Sequence, residues 1–129
     1  MKELNIKKIV KGEAESIVSK VTDALKEQGF GVLTRIDLDT KIKEKIGKEI
    51  NPVIILGACN PKLAYEAYLS NPDVTGLLPC NAVIRQLNQS ETSVEFVKPT
   101  ALMEILGDEK LINLSRDADN LLLKALNTL

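Results

Sequence analysis

The hydrophobic pattern changes period several times along this chain, and each change marks an element. Residues 3–10, "ELNIKKIV", alternate apolar Leu4, Ile6 and Val10 against polar Asn5 and Lys7. That period of two predicts a strand with one wet face, at a sheet edge. Gly12 breaks it. Ala14, Ile17, Val18, Val21 and Leu25 then recur at helical spacing, and Gly29 stands where a left-handed cap is favoured. Residues 30–36, "FGVLTRI", are rich in β-formers and predict a second strand. A short helix follows, capped by Asp37 or Asp39, with Leu38, Ile42 and Ile46 on one side and Gly47 at its end.

Residues 53–58, "VIILGA", do not alternate. A strand apolar on both sides must be covered on both sides, so it belongs inside the sheet. Helices cover one face, and a second subunit is the expected cover for the other. Asn60-Pro61 opens the next helix, because Asn is a strong N-cap and Pro is preferred at the first helical position. Asn71-Pro72 stops it near Ser70, and residues 73–79 read as a connector. Residues 80–87 and 92–98 form two strands about a polar turn at Asn88–Glu91. Setting Arg85 opposite Glu95 also sets Ile84 opposite Phe96 and Val83 opposite Val97, the register we expect. Pro99 starts a short helix that Gly107 ends. Asp108 caps a final helix with Leu111, Leu114, Ala118, Leu121, Leu122, Ala125 and Leu129 on one stripe.

The elements compose an α+β protein: one domain over residues 1–129, with no linker and no low-complexity stretch. Its 129 residues bury a sufficient core without staples. Composition then narrows the function. The 17 basic and 18 acidic residues leave a net charge of −1, against a nucleic-acid partner. No run approaches eighteen apolar residues and no leader is visible, so no membrane role and a cytoplasmic location are expected. There is no histidine, which removes Ser-His-Asp and Cys-His catalysis and every His-containing zinc site. Gly29-Phe30-Gly31 ends a helix and starts a strand, the reverse of a dinucleotide fingerprint. No carboxylate pair stands out for acid/base work.

The only two cysteines, Cys59 and Cys80, are twenty-one positions apart, and each precedes an asparagine, Asn60 and Asn81. Cys59 ends a buried strand directly before a helix, where free amides and the helix dipole lower a thiol pKa or bind an anion. Cys80 begins a strand. If the two strands are antiparallel neighbours, both thiols meet at one end of the sheet. The opposing reading is two inert core fillers. Asn60 has a capping role that explains it, whereas Asn81 has none and points to a polar site. Two thiolates make half a zinc shell, so no metal site is assigned.

The segments "GFGVLTRIDLDTKIKEKIG", "ILGACNPKLAYEAY" and "GLLPCNAVIRQ", in this order, resemble the bacterial and archaeal domain-of-unknown-function family 302 over nearly the whole chain. The resemblance implies a TATA-binding-protein-like fold, a single curved, mostly antiparallel sheet of about five strands with helices packed on it. It also implies a homodimer, and it supplies no reaction and no cofactor. Three functions follow as expectations: a small-molecule or anion site lined by Cys59, Cys80, Asn60 and Asn81; a thiol redox or sulfur-transfer protein with Cys59 as nucleophile and Cys80 as resolving partner; or a structural protein with inert thiols.

Overall fold

The computed structural model describes residues 3–129. Five strands, β1 (Asn5–Lys11), β2 (Gly31–Asp37), β3 (Val53–Cys59), β4 (Cys80–Gln86) and β5 (Glu91–Val97), form one open antiparallel sheet in the order β1-β5-β4-β3-β2. The helices are α1 (Ala14–Glu27), α2 (Leu38–Ile46), α3 (Pro61–Ser70), α4 (Pro99–Leu106) and α5 (Glu109–Asn127), with a 3₁₀ turn at Pro72–Leu77. Among the described residues no helix is long and apolar enough to cross a membrane.

The sequence pattern explains most of this. β1 is an edge strand, and β3 lies inside, between β2 and β4. α1 and α5 press their apolar stripes on one face of the sheet. There Leu25, Ile84, Val94 and Phe96 are almost fully buried, with Ile17, Val21, Leu56 and Leu122 around them. Burying such side chains is the main term holding the fold, at about 1.5–3 kcal/mol each. A smaller core, Val74, Met103, Leu111 and Ile112, joins the 3₁₀ turn, α4 and α5 beyond one end of the sheet.

Two local expectations are corrected. Arg85 pairs with Ser93, and Ile84 with Val94, so the β4–β5 register is shifted by two residues. The turn decides this. Asn88 Oδ1 accepts from the amides of Ser90 (3.0 Å) and Glu91 (2.9 Å), and the Leu87 amide donates to the Glu91 carbonyl (2.9 Å). A shift of two keeps every side chain on its face. Arg85 therefore still reaches the Glu95 carboxylate, diagonally, at 2.6 Å.

Neither aspartate caps α2. Asp37 accepts from Arg35 instead, and Asp39 Oδ1 accepts from the Val53 amide at 3.1 Å, tying α2 to β3. α2 buries no residue, and Ile46 is exposed.

The second face of the sheet is the one turned away from the apolar stripes of α1 and α5. Its polar half holds Lys7, Ser93, Arg85 and Glu95. Burial favours the neutral acid at Glu95, but hydrogen bonds from Arg85 and Ser93 outweigh it and hold the carboxyl below its usual range. The apolar half holds Ile55 and Val83, half-buried, and Ile36, exposed. Gly57 sits on this face under Thr34 and the ring of Pro79. A methyl group at 57 would collide with both, lying 2.8 Å from Pro79 Cγ.

Candidate functional site

The antiparallel pairing of β3 with β4 places Ala58 opposite Cys80, so Cys59 is one residue from the partner of Cys80. Both cysteines lie at one end of the sheet, Cys80 on the face of Ala58 and Cys59, one strand position on, alternating to the face of Gly57 and Pro79. Both line a cleft between the sheet end, α3, the 3₁₀ turn, α4 and α5, with about 60 Å³ of free space. Its walls are mostly apolar: Phe30 and Ala58 from the sheet side, Leu63 from α3, Leu78, Met103 and Leu111. Small residues on the facing helices, Ala64, Ala67, Ser115 and Ala118, leave the room. Cys59, Leu63, Leu78 and Cys80 are half-buried, so the cleft reaches the surface beside the thiols.

The framing elements are fixed by polar ties. Asn60 Oδ1 accepts from the Leu63 amide at 3.2 Å and caps α3, as the sequence predicts. Its amide nitrogen packs on Gly29, whose φ of +85° and missing side chain make that approach possible. Asp119 on α5 accepts from the Thr100 amide (3.1 Å) and hydroxyl (2.6 Å), anchoring the start of α4 and with it Met103. Asp108 caps α5, accepting from the amides of Lys110 (3.0 Å) and Leu111 (3.2 Å). Asn71, between α3 and the 3₁₀ turn, donates to the other Asp108 oxygen at 3.4 Å and so joins the two sides of the cleft. Ser115 donates to the Ile112 carbonyl at 2.9 Å, so its hydrogen is already committed.

The electrostatics run against an activated thiolate. Burial pushes the Cys59 thiol up, not down. Burial also raises Cys80, with smaller contributions from the neighbouring Cys59 and Asp119, to about 11. The cost of dehydrating a thiolate outweighs the helix N-terminus beside Cys59. Both sulfurs are thiols at neutral pH. Asp119 is engaged with Thr100 rather than placed as a base for Cys80.

Of the residues singled out in the sequence, Cys59, Cys80 and Asn60 come together at the cleft. Asn81 does not. It pairs with Gly57, follows Cys80 by one strand position and is exposed on the opposite face. The two Cys-Asn segments are alike in letters and differ in role, one ending a strand at a helix cap and the other opening a strand.

Sequence reasoning missed Met103, which is buried in the cleft wall. Cys59, Cys80 and Met103 are the sulfur-bearing side chains among the described residues, and all three line this cleft. No group of three or more His, Cys, Asp and Glu side chains suited to a metal occurs among the described residues.

Comparisons with known proteins agree on kinship and are silent on chemistry. Residues 6–129 match the family model for the domain of unknown function DUF302. The crystal structure of an uncharacterized conserved protein DUF302 from Bacillus stearothermophilus superposes with a TM-score of 0.90 at 28% sequence identity, covering 98% of each chain. No curated protein matches the chain.

Proposed function

This chain belongs to the DUF302 family, and from that premise we propose that it is a binding domain whose site is the cleft at Cys59 and Cys80. One observation carries the reading: small side chains on the facing helices leave an apolar opening that reaches solvent, walled by Cys80 and Met103 among others. Thiol catalysis has less support, because both thiols are held protonated and no residue is placed to remove the proton. Anion binding has less support too, because the lining is apolar and Asn60 is already engaged as a cap. The free space of about 60 Å³ is well below the roughly 150 Å³ that takes up benzene in an engineered cavity, so the ligand is small.

Methyl NMR with xenon and benzene tests this by size. Xenon should shift the resonances of Leu63, Ala64, Met103 and Leu111 saturably, and benzene should leave them in place. No shift at these methyls with either probe overturns the reading.

Assembly belongs to the same proposal. A second copy laid on the open sheet face would cover Ile36, Ile55 and Val83. Five strands about 4.8 Å apart and seven residues long at about 3.4 Å each present a face of roughly 500 Å². That is below the roughly 800 Å² per partner of a standard interface, so residues around the face must add to it. Sedimentation equilibrium checks it: a dimer that Ile55→Lys dissociates supports the face, and a wild-type monomer at micromolar concentration rejects it.

A further inference from the structure

We propose that the cleft takes a short unbranched alkyl chain, methyl end inward; this rests on the cleft being the binding site. Its course leads there. The cleft follows the seam between the two cores. Leu63 of α3 packs on the sheet core, to which Ala118 of α5 belongs, whereas Ala67 packs on the second core, to which Leu111 belongs. All four residues line the cleft. Leu111 and Ala118 stand seven positions apart on α5, which is about 10 Å of helix.

Volume then sets the width. A water-sized place takes roughly 10–15 Å³, so the free space of about 60 Å³ amounts to about four to six such places. Along about 10 Å of helix they stand in single file. A slot this thin admits a row of methylenes and refuses a ring or a branched carbon. Water is a poor occupant, because a buried water needs several polar partners. The lining has little to offer it: the Ser115 hydroxyl donates to the Ile112 carbonyl, and Asn60 Oδ1 accepts from the Leu63 amide.

The slot has a direction. At the second core Val74, Met103 and Leu111 are at most 4% exposed and close its end. At the sheet end Cys59 and Leu63 are half-buried and leave it open. The alkyl chain enters there and lies along Ala64 and Ala67, which share one face of α3. The flexible thioether of Met103 adapts the closed end to the methyl group. The polar head stays in water beside Cys59, so the hydrocarbon and not the head supplies the affinity.

The test is a titration of the unaltered protein with straight 1-alkanols from ethanol to 1-octanol, read by methyl NMR at Leu63, Met103 and Leu111. Each added methylene should tighten binding about fourfold, the equivalent of burying one methylene, until the slot is full. Longer members should gain nothing more. tert-Butanol and cyclohexanol should leave the resonances in place, and a straight alkanoate should bind like the alkanol of equal length. Ala67→Leu fills the closed end and should stop the rise at a shorter alkanol, while ethanol keeps its affinity. Affinity independent of length, tert-butanol or cyclohexanol binding as tightly as 1-butanol or 1-hexanol, or binding of the alkanoate alone overturns the proposal. If no alkanol binds while xenon still shifts the cleft methyls, the alkyl chain is wrong and the binding site stands. If both fail, the cleft is not a site.

Discussion

The core beneath α1 and α5 and the cleft beneath α3 and α4 share one sheet, but one is sealed and the other has space. In the sealed region, Phe96, Leu25 and Ile84 are almost wholly shut from solvent between sheet and helices. Around the cleft the facing positions are Ala64, Ala67, Ser115 and Ala118, and the sheet end contributes Phe30, Ala58, Cys59 and Cys80. The difference is one of side-chain volume at equivalent layers, and it teaches where a close-packed interior keeps room for a guest.

The comparison can be broken most forcefully at Phe96. Phe96→Ala should cost about 3–5 kcal/mol in urea unfolding, the usual loss for an aromatic removed from a sealed core. A loss no larger than that of Met103→Ala at the cleft wall would erase the distinction. Next comes filling. Ala82→Leu, inserted between Leu56 and Phe96, should overpack the sealed layer and cost about 1–3 kcal/mol. Ala64→Leu should enter free space, leave the urea midpoint nearly unchanged and abolish the xenon shifts.

Alkaline pH gives a smaller effect. The Cys80 thiol titrates near 11 when folded and near 8.5 when unfolded. Its contribution is present in full below about 8.5 and disappears as pH rises toward 11, because the unfolded chain gives up the proton first. The loss should reach roughly 1–2 kcal/mol, allowing for residual contact with solvent. Cys80→Ala should flatten that part of the stability–pH curve. Asn60→Ala removes the α3 cap and should cost about 1 kcal/mol, read in the same urea assay. Because α3 forms one wall, that variant should also broaden the cleft resonances, whereas the α1–α5 core should stay sharp.

Much of this fold was legible in the sequence because its signals are local. Pro99 and Gly107 bound α4, Asp108 caps α5, Asn60 caps α3, and the unbroken apolar run of β3 marks an interior strand. The adjacency of Cys59 and Cys80 followed from the antiparallel pairing of their strands. What stayed hidden depends on geometry that the local pattern does not carry. The β4–β5 register hangs on the side-chain bonds of Asn88 within the turn, and a two-residue slip preserves the hydrophobic pattern, so the pattern cannot detect it. Asn81 drew notice through its neighbour, yet strand alternation sends it to the far face. Met103 lies forty-four positions from Cys59, on a helix whose first turn is tied to Asp119 of α5 through Thr100.

Gly57 has a wider meaning than its size. It is the vacancy into which the Pro79 ring settles, and Pro79 stands between Leu78 and Cys80, both of them cleft residues. Bulk added there, on the side turned away from the helices, would lift the proline and drag one sulfur with it. The two sides of the sheet are thus mechanically in communication through a single missing carbon.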